Sequence, residues 1–185
     1  MARIAVVFGT TDGQSAKIAR RIAEDLRNEG HLVDLLDTGT ELPYKALLGI
    51  DAAVIAGSAR MGRFQSPLTY FVQIHLPTLL TMPTAFVPVS LAASFETPLA
   101  LREVKKAIAR FTRETGLNPN IIEPAGGALR YSRYGFFKKL GVRMIASMYG
   151  GDTDASRDYE YTDWNAVDVF ARHFADDVTK VQARR

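Results

Sequence analysis

The stretch at residues 3–15, RIAVVFGTTDGQS, decides the fold of this chain. Its apolar run at residues 4–8 consists of small and β-branched side chains and predicts a strand buried on both faces. A loop of glycine and hydroxyl residues follows, and then an amphipathic helix begins. Because a helix N-terminus offers free backbone N–H groups and a positive dipole, this strand–loop–helix unit predicts an anion site at residues 10–15.

The loop at residues 10–15 lacks the features of two common phosphate motifs. It has no lysine at its end, which a G-x-x-x-x-G-K-[ST] motif requires. Gly9 and Gly13 do not fit the G-x-G-x-x-G spacing of a dinucleotide site. A neutral, hydroxyl-rich loop suits one terminal phosphate, as in FMN, and an ordinary capped turn is the alternative. The candidate ligands are Thr10, Thr11, Asp12, Gly13, Gln14 and Ser15.

Composition narrows the class of protein. The 185 residues, 47% hydrophobic and 23% charged, predict a single globular domain over residues 1–185. The chain has no cysteine, and its three histidines are scattered, so we expect neither thiol chemistry nor a metal site. The first strand begins at the N-terminus, and no apolar run reaches about 20 residues, so we expect no signal peptide, no membrane-spanning helix and a cytoplasmic location. We expect no nucleic-acid partner.

Strand and helix patterns alternate along the chain, which predicts a parallel sheet with helices on both faces. The predicted strands are residues 4–8, 32–37, 52–57, 84–90 and 120–127, and predicted helices begin near residues 14, 66, 97 and 162. Ser66 is the expected N-cap of the second helix. The expected core residues of the second and third helices are Leu68, Phe71, Val72, Ile74, Leu101, Val104, Ile108 and Phe111. This element order is typical of an α/β doubly wound fold with strand order 2-1-3-4-5.

Ligands of such a sheet bind beyond the C-terminal ends of its strands. The loops at residues 58–65 and 90–95 would therefore join the phosphate loop and flank an isoalloxazine ring. Phe64 is predicted either to stack on that ring or to pack at the start of the second helix. The expected contacts of the ring are Ser58, Ala59, Arg60, Met61, Gly62, Ser90, Leu91, Ala92 and Ala93.

A receiver domain is the competing use of this fold. Its chemistry needs paired carboxylates after the first strand and an aspartate after the third. This chain has Gly9-Thr10 and Gly57-Ser58 at those places, so the sequence favours FMN as the ligand.

The segment at about residues 128–161 has no counterpart in a minimal doubly wound fold. Its middle, residues 134–149, predicts a helix that mixes aromatic and methionine side chains with Lys138, Lys139 and Arg143. Such a mixture favours a helix on an anionic lipid surface or one that binds an apolar, acidic ligand. A helix that packs on the domain is the alternative, and both interpretations stay open here.

The amino-acid sequence of this insert resembles the sequences of a known family. The pieces are GALRY at residues 127–131, Arg133-Tyr134, GGDTD at residues 150–154 and YTDW at residues 161–164. Together with the loop TDGQS at residues 11–15 and with residues 58–62, they are similar to the flavodoxin-type protoporphyrinogen oxidases. These are menaquinone-dependent protoporphyrinogen IX dehydrogenases of bacterial haem biosynthesis. The resemblance covers nearly the whole chain and implies a flavodoxin-like fold with a long helical insert after strand 5.

The resemblance also implies an activity. Such an oxidoreductase takes six electrons and six protons from protoporphyrinogen IX in three steps, through FMN, and reduces menaquinone or ubiquinone. It would work peripherally, at the inner face of the cell membrane, and the net charge of +3 favours contact with an anionic bilayer. No residue stands out as a catalytic base.

The apolar porphyrinogen carries two propionates, which arginines and aromatic rings would suit. The candidate substrate residues are Arg60, Arg63, Arg130, Tyr131, Arg133 and Tyr134. A flavodoxin electron carrier, an FMN-dependent quinone reductase and an interaction domain without cofactor are the alternatives, and a homo-oligomer is left open.

Overall fold

The computed structural model describes residues 1–43, 45–131, 154 and 156–183. Their strands are β1 (Arg3–Gly9), β2 (Leu32–Asp37), β3 (Ala52–Ser58), β4 (Thr84–Ser90), β5 (Ile121–Ile122), β6 (Ala125–Gly126), β7 (Ala128–Leu129) and β8 (Tyr159–Glu160). Their helices are α1 (Gln14–Asn28), α2 (Ser66–Leu79), α3 (Pro98–Thr115) and α4 (Trp164–Gln182), with a 3-10 turn at Ala92–Ser94.

The main sheet is parallel and has the order β2-β1-β3-β4-β5, which confirms the predicted doubly wound fold. Its two faces are covered by different helices. Ile4 and Val6 of β1 pack in a core with α1 and α4, whereas Ala5 and Val7 pack in a core with α2 and α3. Alternate residues of one strand thus serve two cores, which is why β1 is a continuous apolar run.

The fifth strand is interrupted, where the sequence predicts a continuous strand at residues 120–127. The N–H groups of Glu123 and Gly127 donate to the carbonyls of Phe86 and Ser90, so this side of β4 faces the strand. Pro88 lies midway between those two carbonyls and has no N–H to donate. The ladder therefore breaks between β5 and β6.

Two predictions about the helices were wrong in detail. Ser66 is already helical, and the N-cap of α2 is Gln65, whose backbone is extended at φ −60° and ψ 135°. The predicted core positions Ile74 and Leu101 are 40% and 48% exposed. In α3 the buried stripe runs through Ala100, Ala107, Phe111 and Thr115, so it is rotated away from Leu101.

A short antiparallel pair, β7 with β8, was not predicted. It flanks the segment at residues 132–153 on both sides in the sequence. That segment contains the predicted insert helix at residues 134–149, which therefore lies outside the described residues. Among the helices that the structure describes, none is long and apolar enough to cross a membrane.

Candidate functional site

The loop between β1 and α1 leaves the start of the helix open. Gly13 is the N-cap of α1, with a left-handed φ of 95°, and its N–H donates to Thr10 Oγ1 at 3.0 Å. Within the described part of the chain, no side chain caps this helix end. N–H groups of the first turn therefore remain available to an anion.

Ser15 lies on that first turn and is fully buried. Its Oγ has no hydrogen-bond partner among the described residues. Leaving a buried hydroxyl unsatisfied costs about 1–3 kcal/mol, so this atom fits a site that a ligand atom completes. A phosphate oxygen would satisfy the hydroxyl at the positive end of the helix dipole. The loop residues thus fit the phosphate group that the sequence predicts.

Gln65 fastens the loop after β3 to the phosphate loop. Its Nε2 donates to Thr11 Oγ1 at 2.9 Å, to the Ser58 carbonyl at 3.0 Å and to Ser58 Oγ. The sequence predicts Gln65 only as part of a loop, because nothing in the local pattern reveals a bond that spans 54 residues. Arg60 ties the same two loops together through an ion pair with Asp12 at 2.8 Å. The structure thus brings together the predicted residues of the phosphate loop (residues 10–15) and of the loop after β3 (residues 58–65), which are the first and second loops of the site.

A tight turn forms the tip of the loop after β3, the second loop of the site. The backbones of Arg60 and Arg63 exchange hydrogen bonds of 2.8 and 3.0 Å across Met61 and Gly62. Both central residues are left-handed, at φ 49° and 70°, as in a type I′ turn. Met61 is 91% exposed. The Arg63 side chain makes no ion pair with any residue that the structure describes.

The loop after β4 lies beside the loop after β3, since the Ala59 N–H donates to the Val89 carbonyl at 2.7 Å. Ser90 Oγ accepts from the Ala93 N–H at 3.1 Å and closes the 3-10 turn over Ala92. A Cβ placed on Gly127 would lie 3.1 Å from the Ser90 carbonyl carbon, so Gly127 lets the chain pass close to this loop. The predicted ring contacts from Ser90 to Ala93, including Leu91, are therefore adjacent to those of the second loop.

Phe64 packs inside the domain. Its ring centroid lies 5.2 Å from that of Phe86 and 4.9 Å from that of Phe111. Of the two roles predicted for Phe64, the structure supports packing at the start of α2.

Polar contacts join the phosphate loop to the β7–β8 pair. Gln14 is 4% exposed, its Nε2 donates to Thr162 Oγ1 at 2.8 Å, and its Oε1 accepts from Arg130 at 3.1 Å. Thr162 Oγ1 in turn donates to the Gly126 carbonyl at 2.7 Å. One side chain at the start of α1 is thus held by residues on both sides of the segment at residues 132–153.

The Glu160 carboxylate pairs with the cationic side chains near Gln14. Its carboxylate accepts from Lys17 at 2.7 Å, from Arg130 at 3.0 Å and from Trp164 Nε1 at 3.1 Å. Partial burial alone would raise the pKa of the Glu160 carboxyl, but the hydrogen bond and charge of Lys17 and the bond from Trp164 outweigh it and hold the pKa below its ordinary value. Glu160 is therefore an anion that fixes the β7–β8 pair against α1.

These contacts change the interpretation of two predicted substrate residues. Arg130 is already paired with Glu160, so its charge is used within the chain. Tyr131 is fully buried, with its ring edge-on to Tyr159 at 6.3 Å between centroids. This placement does not support Tyr131 as a wall of a substrate site. Arg133 and Tyr134 lie outside the described residues.

The sequence is similar to a known domain family and to named proteins of other organisms. Residues 5–156 match the family model of a flavodoxin domain. The chain is 32% identical over 173 residues to the protoporphyrinogen IX dehydrogenase (quinone) of Escherichia coli (strain K12), covering 92% of this chain and 93% of that protein. It is 30% identical over 181 residues to the protein of the same name from Leishmania major, covering 92% and 73%.

A solved structure shows the same fold. Oxidised flavodoxin 1 from Bacillus cereus is similar with a TM-score of 0.57 at 12% identity, covering 95% of this chain and 98% of that one. The flavodoxin-domain match indicates that the chain binds a flavin.

Proposed function

Because this chain belongs to the flavodoxin-domain family of quinone-linked protoporphyrinogen IX dehydrogenases, we propose that it oxidises protoporphyrinogen IX to protoporphyrin IX with FMN as its cofactor and a quinone as electron acceptor. One observation carries the proposal. The buried, unsatisfied Ser15 hydroxyl stands at the open start of α1 in a chain that aligns over 92% of its length with relatives named for this reaction.

The three loops hold the cofactor in this proposal. Residues 10–15 bind its phosphate through backbone N–H groups and hydroxyls, and residues 58–62 and 90–93 flank its ring. The loop offers no lysine or arginine and no dinucleotide glycine pattern, which favours the single phosphate of FMN over a pyrophosphate. Bound flavin supplies a two-electron acceptor that can be reoxidised by a quinone.

The overall reaction balances with three quinones. Conversion of the porphyrinogen to the porphyrin removes six electrons and six hydrogens, and each quinone takes up two electrons and two protons to become a quinol. The chain's own contribution is to bind and orient the substrate. Among the predicted arginines that the structure describes, Arg60 and Arg130 are already paired within the chain. Arg63, at the rim of the second loop, is our candidate for a propionate.

The quinone that accepts the electrons indicates where in the cell the protein works. Menaquinone and ubiquinone are lipid-borne, so we place the working protein at the cytoplasmic face of a membrane, held peripherally. The part of the insert at residues 132–153, with its basic and aromatic composition, is one candidate for the contact with lipid or with substrate.

Anaerobic turnover tests the function. FMN-reconstituted protein is mixed with protoporphyrinogen IX, with and without a menaquinone analogue, and porphyrin fluorescence is followed. The same protein without FMN is the control, because the substrate oxidises spontaneously in air. We expect porphyrin formation that needs both FMN and quinone, and a lower rate for Arg63→Ala through a raised KM. Flavin binding without porphyrin formation would overturn the proposal and favour an electron carrier.

A further inference from the structure

The two helical layers differ in the apolar side chains that they expose. Among the described residues, α1 and α4 carry no exposed large apolar side chain. The opposite layer has five, Tyr70, Ile74, Leu80, Leu99 and Leu101, with exposures of 65%, 40%, 58%, 39% and 48%. This side of the sheet therefore has an apolar surface that the other side lacks.

The charged side chains are also distributed unevenly between the two helical layers. Helix α2 contains no Asp, Glu, Lys or Arg, and none occurs between Arg63 and Glu96; the pKa of its His75 is lowered by burial. Its neighbour α3 carries five basic and two acidic residues. Helices α1 and α4 together carry six basic and five acidic residues, close to balance. A charge-free helix beside a basic one distinguishes this layer from the other.

The two helices form one continuous surface. They pack side by side on the same face of the sheet, and Gln73 Nε2 of α2 donates to the Glu114 carbonyl of α3 at 2.8 Å. The same layer exposes the cations Arg102 and Lys105 of α3. We call this surface, formed by the outer sides of α2 and α3, the α2–α3 face.

We propose that the α2–α3 face rests on an anionic lipid bilayer. Its apolar side chains would enter the boundary between headgroups and acyl chains, while the cations of α3 meet lipid phosphates. Charge complementarity selects this occupant, since α3 carries a surplus of three positive charges. The choice of a bilayer also rests on the proposed function, because its acceptor is lipid-borne. Arg63 lies three residues before α2, so the second loop of the site would stand at the edge of the contact.

Vesicle binding of the FMN-loaded protein tests this proposal. Co-sedimentation is measured with phosphatidylcholine vesicles that contain either no phosphatidylglycerol or a third of it. The double variant Arg102→Glu/Lys105→Glu should bind the anionic vesicles at least about tenfold more weakly than the wild type, since each cation near an anionic surface contributes to binding. The matched control is Arg20→Glu/Arg172→Glu, which makes the same charge change on exposed positions of α1 and α4 and should stay within about twofold of the wild type.

A second pair of variants separates the apolar contribution. Tyr70→Ser/Ile74→Ser removes apolar contact without a change of charge and should weaken binding to the anionic vesicles. Thermal melting and the flavin spectrum show that each variant is folded and loaded.

Several results would overturn the proposal. They are no binding of the wild type to anionic vesicles, equal losses in the face variant and its control, or loss only in Lys138→Glu/Lys139→Glu/Arg143→Glu. Dissociation of a wild-type dimer by Tyr70→Ser/Ile74→Ser, with vesicle binding unchanged, would assign the face to a second copy instead. Because this readout needs no porphyrinogen, failure here and failure of the proposed oxidation are distinguishable.

Discussion

Replacing Ser15 by alanine should leave the stability of the cofactor-free protein equal or higher and should weaken the binding of FMN. In the protein without cofactor, no described residue bonds the buried Ser15 hydroxyl; an unmet hydroxyl costs about 1–3 kcal/mol, and a bound water would lower this cost. Alanine removes this cost, so the free energy of unfolding of the cofactor-free protein should stay equal or rise. In the loaded protein the same hydroxyl would bond a charged phosphate, a contact that contributes about 1.5–3 kcal/mol. Its loss should raise the Kd for FMN by about 10- to 150-fold.

Two measurements check this prediction. Urea unfolding of the cofactor-free wild type and Ser15→Ala gives the stability difference, and flavin fluorescence titration gives the Kd values. Riboflavin is the matched ligand control, because it has the ring of FMN and lacks the phosphate, so its affinity should be the same for both proteins. An equal loss of affinity for riboflavin, or an unchanged Kd for FMN, would refute the assignment of Ser15 to the phosphate.

Three further predictions concern other side chains. Gln65→Ala should raise the Kd for FMN by about tenfold, because two loops lose their shared donor; Gln73→Ala, remote from the loops, is the control in the same titration. Glu160→Gln should lower the melting temperature at pH 7, since the carboxylate has a lowered pKa in the folded state and stabilises it above about pH 4.3. This advantage over the variant should vanish as the pH falls through the folded pKa, and a constant difference down to pH 2 would contradict the ion cluster. Burial lowers the pKa of His31, whose Nδ1 accepts from the Ala2 N–H at 3.2 Å, so the folded state resists protonation. The wild type should therefore lose stability below about pH 6.5, where the unfolded chain takes up the proton, and His31→Gln should lose less over the same range in melting experiments.

The sequence predicts the sheet well because its signals are local. The apolar runs of β1 and β3 are each long, doubly buried and followed by a glycine-containing loop, and a parallel order follows from their alternation with helices. Pro124, at the break between β5 and β6, is a local signal that a continuous strand does not fit. The part that Pro88 of the neighbouring strand plays could not be predicted in this way, because it depends on register between residues more than thirty positions apart.

The candidate site also combines local signals, which the sequence reveals, with long-range contacts, which it does not. Residues 10–15 could be identified as a phosphate loop because strand, loop and helix start are contiguous. The pairing of Arg130 with Glu160 and the bridging by Gln65 involve partners 30 and 54 residues away, and no periodicity reports such partners. Arg130 consequently looks like a free cation in the sequence and is a paired one in the structure.

The position of Gln14 has a consequence for the order of events during synthesis. Its amide is held by Arg130 and by Thr162, 116 and 148 residues further along the chain. Closing so long a loop costs chain entropy, so these contacts form late, after the sheet has assembled. A growing chain that has not yet delivered Thr162 already contains every residue of the phosphate loop, but not the partner that fixes its central glutamine. Cofactor loading is therefore expected to follow the arrival of α4 rather than to guide the folding of the first half of the chain.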